Sequence, residues 1–155
     1  MSEKQDELTA DEVAHLFNLE PLPDEGGRWA RTLNDGSSSA IHYLLSAGDF
    51  SAMHRLDSSE IYHHYAGAPA VLLLLFPDYS AVEMLLGDNL VAGQRPQIVV
   101  PAGTWQGSLT LGDWTLLGTT MSPPYCQEGF ELGKREHLIT GWSLAAERII
   151  ELTRF

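Results

Sequence analysis

The chain of 155 residues contains one cysteine, Cys126, and only two lysines, Lys4 and Lys134. A single cysteine excludes an intramolecular disulfide, so packing alone must hold the fold. That usage suits a reducing compartment, and a cytoplasmic location is expected. Positive charge is scarce: 9 Lys and Arg stand against 21 Asp and Glu, for a formal charge of -12. Nucleic-acid binding needs a basic stripe that displaces counterions from phosphates, and anionic membrane surfaces attract the same feature. Neither partner is expected. Long hydrophobic runs are missing too. The longest, Ala70 to Phe76, falls far short of the ~20 residues of a membrane-spanning helix, and it reads as a buried strand. Residues 1–7 are acidic and lack the apolar centre of a secretory leader. They are expected to fray.

What is present suffices for one globular domain over residues 1–155. Apolar residues make up 44% of the chain, and a chain of this length buries roughly 70% of its unfolded surface. Thr9 and Glu12 have the spacing of a capping box ahead of Val13, Ala14, Leu16 and Phe17, which predicts a short helix over 10–18. A first strand is expected at 28–33, followed by a turn at Asn34-Asp35-Gly36. Short strands are then expected at 40–45, 51–56, 61–65, 71–76, 81–86, 97–100, 107–111 and 115–121. Gly, Pro, Asn and Asp clusters separate them. Many short strands with no intervening helix argue for an all-β antiparallel sandwich or barrel rather than βαβ units. Near the end, Ser143 is positioned to cap a helix with Leu144, Ala145, Ile149 and Leu152 on one face. No repeat and no low-complexity linker interrupts the pattern.

The most informative stretch is residues 48–67, GDFSAMHRLDSSEIYHHYAG. Gly48, His54, Glu60 and Gly67 follow the spacing Gly, five residues, His-x-His, three or four residues, Glu, six residues, Gly. A second match, Pro101-Ala102-Gly103-Thr104-Trp105-Gln106, follows Pro-x-Gly-x-x-His. In these motifs the chain resembles the cupin superfamily. More narrowly it resembles a small single-domain cupin family, cupin-five, through Glu25-Gly26-Gly27, the stretches 40–45 and 50–55, Glu60 to Gly67, Val99 to Gln106 and Phe130-Glu131-Leu132. Arg28 stands where that family usually has an aromatic residue, and Tyr62 where it usually has Trp. The resemblance implies an antiparallel double-stranded β-helix (the cupin jelly-roll) with short N- and C-terminal helices. It also implies a homodimer and a pocket inside the barrel mouth, and it supplies no activity.

Strand alternation places residues two apart on one face. The expected pocket therefore carries His54, Glu60, Tyr62, His64 and Gln106, with His63 pointing away. Plainer roles compete: Glu60 as an ion-pair partner of Arg55, His64 as a sheet or subunit contact, Trp105 and Trp114 as packing. His15, His42 and His137 read as ordinary histidines. Cupin metal sites use three imidazoles and a carboxylate, but Leu56 and Gln106 occupy two of those positions. Only His54, Glu60 and the weaker amide oxygen of Gln106 are left as ligands. His64 lies four strand positions from Glu60, roughly 13 Å away, and does not replace Leu56. No cofactor is expected.

Three functional classes follow, in this order. The first is a small-molecule-binding cupin. The second is a metal-free isomerase or epimerase acting on a sugar-nucleotide-like or other carbonyl-containing substrate. There His54 would be the base, Glu60 would orient its ring, and Tyr62 would be the acid. The third is a weakly metal-dependent enzyme.

Overall fold

The computed structural model describes residues 7–155. The fraying expected at residues 1–7 falls, apart from Glu7, outside the described residues. Helix α1 spans Ala10–Leu16 and carries the full capping box: Thr9 accepts from the Glu12 N–H, and Glu12 accepts from the Thr9 N–H. It stops short of residue 18 because Asn18 takes a positive φ of 55°, a conformation that ends helices.

Eleven strands follow: β1 (Glu20–Pro21), β2 (Arg28–Asn34), β3 (Ser39–Ser46), β4 (Ser51–Leu56), β5 (Glu60–Gly67), β6 (Ala70–Leu75), β7 (Ala81–Leu86), β8 (Gln97–Val100), β9 (Trp105–Thr110), β10 (Trp114–Met121) and β11 (Phe130–Leu132). They form two antiparallel sheets, β1-β2-β3-β10-β5-β8 and β11-β4-β9-β6-β7. This is the jelly-roll arrangement expected from the sequence. The strands expected at 51–56, 81–86 and 97–100 have those same bounds. β11 pairs with β4 through Leu132 and His54, a strand too short to announce itself by alternation.

Apolar packing forms three layers. Between the sheets lie Tyr43, Leu45, Tyr62, Leu72, Leu74 and Leu117. The outer face of the five-stranded sheet, with Met53, Leu73 and Leu75, is covered by Leu138, Trp142, Ile149 and Leu152 of the C-terminal segment. At one end of the six-stranded sheet, Leu44, Trp114 and Leu116 pack against Val13 and Ala14 of α1. Trp105 and Trp114 are therefore packing residues, as their plainer reading had it.

The C-terminal segment departs from expectation. It holds α2 (Arg135–Gly141), a 3₁₀ turn (Ser143–Ala145) and α3 (Ala146–Glu151) in place of one helix. Ser143 makes no side-chain cap; it begins the 3₁₀ turn instead. Leu144 is fully exposed, while Ile149 and Leu152 are buried as expected. The break at Trp142 rotates Leu144 off the face that the later residues present to the sheet.

Candidate functional site

Three segments converge at the mouth of the barrel. β4 brings His54, and the turn after Leu56 returns the chain so that β5 begins at Glu60. The third is the strap between β1 and β2, residues 22–27. It is fastened by main-chain contacts: Ala52 N–H donates to Glu25 O at 2.7 Å, and Gly26 N–H to Leu22 O at 3.0 Å. Tyr43 hydroxyl donates to Gly26 O at 2.5 Å, and Gly27 N–H donates to the Asp49 carboxylate at 2.9 Å. These anchors hold the Glu25 side chain over His54.

With β2, β3, β10 and the segment that follows β10, they line a cavity of about 430 Å³. Leu22, Trp29, Ile41, Leu56 and Met121 supply apolar wall; Asp24, Glu25, Arg31, His54, Glu60 and Tyr125 supply polar groups. His54 is 2% exposed. Its Nδ1 lies 2.7 Å from Ala52 O. A carbonyl only accepts, so Nδ1 carries the proton and Nε2 is the nitrogen left for chemistry. Nε2 faces Glu25 Oε1 at 3.6 Å, beyond ordinary hydrogen-bond reach. Phe130 stacks on the ring with centroids 5.4 Å apart.

Glu60 is 8% exposed, and its Oε1 has no hydrogen-bond partner among the described residues. Burial pushes its carboxyl above the usual range; nearby His54 opposes this and the charge of Glu25 adds to it. Arg55, the alternative partner for Glu60, instead pairs with Glu131 and lies over the Trp105 ring. The raised carboxyl has a consequence for stability. A carboxyl that titrates higher in the folded than in the unfolded chain stabilises most below the unfolded value, and that contribution is lost as pH rises through the folded value. Glu60→Gln removes this loss. The variant is expected to exceed wild type at neutral pH and to match it below about pH 4. Thermal unfolding across that range checks this; a constant difference at every pH would contradict it.

Tyr62, Gln106 and His64 share the expected face but do not line the cavity. Tyr62 and Gln106 are buried beneath it, where the Tyr62 hydroxyl donates to Gln106 Oε1 at 2.6 Å. Burial drives the Tyr62 phenol well above its ordinary range, so it stays protonated in that bond. His64 lies deeper along β5, with Nε2 at 3.2 Å from Ala68 O. His63 points to the other face and contacts Thr120. Tyr62→Phe leaves Gln106 Oε1 buried and unpaired, and should cost about 1–3 kcal/mol. Adding Gln106→Leu should recover most of it, because the stranded amide oxygen is then removed. A non-recovering double variant would show that the hydroxyl does more than satisfy the amide.

A metal of the kind many barrels of this shape hold does not fit these residues. Among the described residues no three His, Cys, Asp or Glu side chains converge in a metal-binding group. Leu56 is apolar, and the amide oxygen of Gln106 is taken by Tyr62. Sequence reading missed the strap residue Glu25 and the cavity residue Tyr125. The motif Glu25-Gly26-Gly27 was the one available signal for the strap.

Comparison with known proteins places this geometry. The family model described as cupin superfamily (DUF985) matches residues 11–133. A solved protein of Shewanella oneidensis is 29% identical, with a TM-score of 0.86, covering 95% of this chain and 98% of that one. A hypothetical protein from Leishmania major is 22% identical, TM-score 0.86, covering 94% and 99%. An oxalate decarboxylase of Bacillus subtilis shares the fold at 10% identity and a TM-score of 0.60, over 87% of this chain and 37% of that one. Among curated proteins, none matches.

Proposed function

We propose, from the premise that the chain belongs to the DUF985 family of the cupin superfamily, that its barrel mouth binds a small organic molecule without a resident metal. The observation that carries this reading is the cavity itself. It is within the size range of small-molecule sites and combines apolar wall with a few buried polar groups. One of those groups, Glu60, has an oxygen with no partner among the described residues, and His54 presents its Nε2 to the cavity. The site is incomplete by itself: a ligand would supply the missing hydrogen bonds.

Proton transfer is a second reading, favoured by the fixed tautomer of His54. A base needs an unprotonated nitrogen aimed at substrate, and Nε2 is that nitrogen. Tyr62 is buried beneath the cavity and bonded to Gln106, so the phenol placed to return a proton is Tyr125, which lines the cavity and donates to Gln127 at 2.9 Å. A homodimer is also part of the proposal. The four-residue β8 forms one edge of its sheet, and an open edge is a pairing site.

Native mass spectrometry of untagged protein from cells tests these points together. The expected result is a dimer carrying a small organic ligand and less than stoichiometric metal. His54→Ala should weaken retention of that ligand about tenfold or more, the effect of leaving one ligand polar group unpaired. Its melting temperature should change little, since binding residues are seldom optimised for stability. Unaltered retention with a large loss of stability would make His54 a core residue and end this reading. Hydrogen exchange at a substrate carbon, lost in His54→Ala at saturating ligand, would establish the proton-transfer reading.

A further inference from the structure

The charges around the cavity do not balance. Glu25 and Glu60 both line it, and Glu25 lies close enough for its charge to act on Glu60. One imidazole, His54, serves both. Even with His54 protonated, the three groups sum to a single negative charge; with His54 neutral they sum to two. The remaining cation in the lining, Arg31, is exposed and lies over the Trp29 ring at 5.7 Å. It belongs to the mouth, not the interior.

The second observation is independent of charge counting. Glu60 is more than nine-tenths buried, and its Oε1 has no partner among the described residues. A buried carboxylate oxygen without a donor is costly, and a charged donor offsets that cost better than a neutral one. A carboxylate ligand would do the opposite, adding a third negative charge in a site sheltered from water. Aromatic rings of Trp29 and Tyr125 in the lining suit a cation's hydrocarbon and its charge alike.

We propose that the occupant is a small organic cation, seated with an ammonium N–H donating to the Glu60 carboxylate. This rests on the reading of the cavity as a small-molecule site, and the test separates the two. Benzylamine (an ammonium at neutral pH), benzyl alcohol and benzoate share one ring and differ in the charge of the polar end. Each is titrated into the full chain and followed by amide chemical shifts of cavity residues. The amine should bind about tenfold more tightly than the alcohol, because an ammonium–carboxylate hydrogen bond is charged on both sides and an alcohol–carboxylate bond on one. Benzoate should bind least. Glu60→Gln should remove the amine's advantage over the alcohol. Equal or tighter binding of alcohol or benzoate, or an amine preference that survives Glu60→Gln, would overturn the cation assignment and leave the small-molecule reading standing. Absence of shifts at the cavity with all three probes, up to their solubility, would count against both.

Discussion

Gly26→Ala is expected to lower stability by about 2–6 kcal/mol and to open the cavity with it. Gly26 has a φ of 97°, a conformation that costs a residue with a side chain about 1–3 kcal/mol. A methyl group there would also lie 2.2 Å from the Phe50 backbone oxygen and 2.2 Å from Arg154 Nη2. The arginine end can swing away; the backbone oxygen is fixed beside β4. Overpacking of this kind costs about 1–3 kcal/mol more. Relief comes most readily by moving the strap, and the strap carries Glu25. The variant should therefore lose retained ligand as well as melt lower. Gly36 supplies the control. Its φ is 85°, yet nothing lies within 4 Å of a methyl group placed on it. Gly36→Ala should show the backbone cost alone and leave ligand retention intact. Equal losses in the two variants would mean that the strap's packing contributes nothing.

The sequence reveals the site's two central residues and conceals its surroundings, for definite physical reasons. His54 and Glu60 are legible because a tight turn separates them, so their spacing along the chain is also their spacing in space. Glu25 reaches His54 from a distant segment, held by contacts with Ala52, Tyr43 and Asp49 that lie far from it in the sequence. Alternation along β5 and β9 placed Tyr62, His64 and Gln106 on the same face as the cavity. It says nothing of depth along the barrel, and depth decides whether a residue lines the cavity or lies under it. The pairing of Tyr62 with Gln106 needs two strands that are not neighbours in either sheet. Only the closure of one sheet over the other brings them together.

The fold was more legible than the site because turns are written locally. β4 is bounded by Gly48-Asp49 and Asp57-Ser58-Ser59, and β7 by Pro77-Asp78 and Gly87-Asp88. Their bounds could be read to the residue. α2 has no such marks: its N-cap position is Lys134, which makes no side-chain cap, and at seven residues it is too short for a periodic pattern. Its reason for existing lies elsewhere, in Leu138 and the adjoining Trp142, which fill a surface prepared by the sheet.

That surface gives the second large effect. β6 reads Ala-Val-Leu-Leu-Leu-Leu and is buried at all six positions. A strand with one face in water alternates; one buried on both faces does not. Leu72 and Leu74 point between the sheets, whereas Leu73 and Leu75 point to the opposite side. There α2 and α3 cover them, so Leu73 is only 1% exposed. Leu73→Ala should accordingly cost about 2–5 kcal/mol, the range for truncating a leucine in a closed core. In a protein of this size each kcal/mol lowers the melting temperature by roughly 2–4 °C. Val82, on the neighbouring β7, is 39% exposed, and Val82→Ala should stay within about 0.5 kcal/mol. Denaturant unfolding of both variants separates the alternatives. If the C-terminal helices were only loosely seated, water would reach the outer face of the sheet. Leu73→Ala would then resemble Val82→Ala, and the five-stranded sheet would have one core layer in place of two.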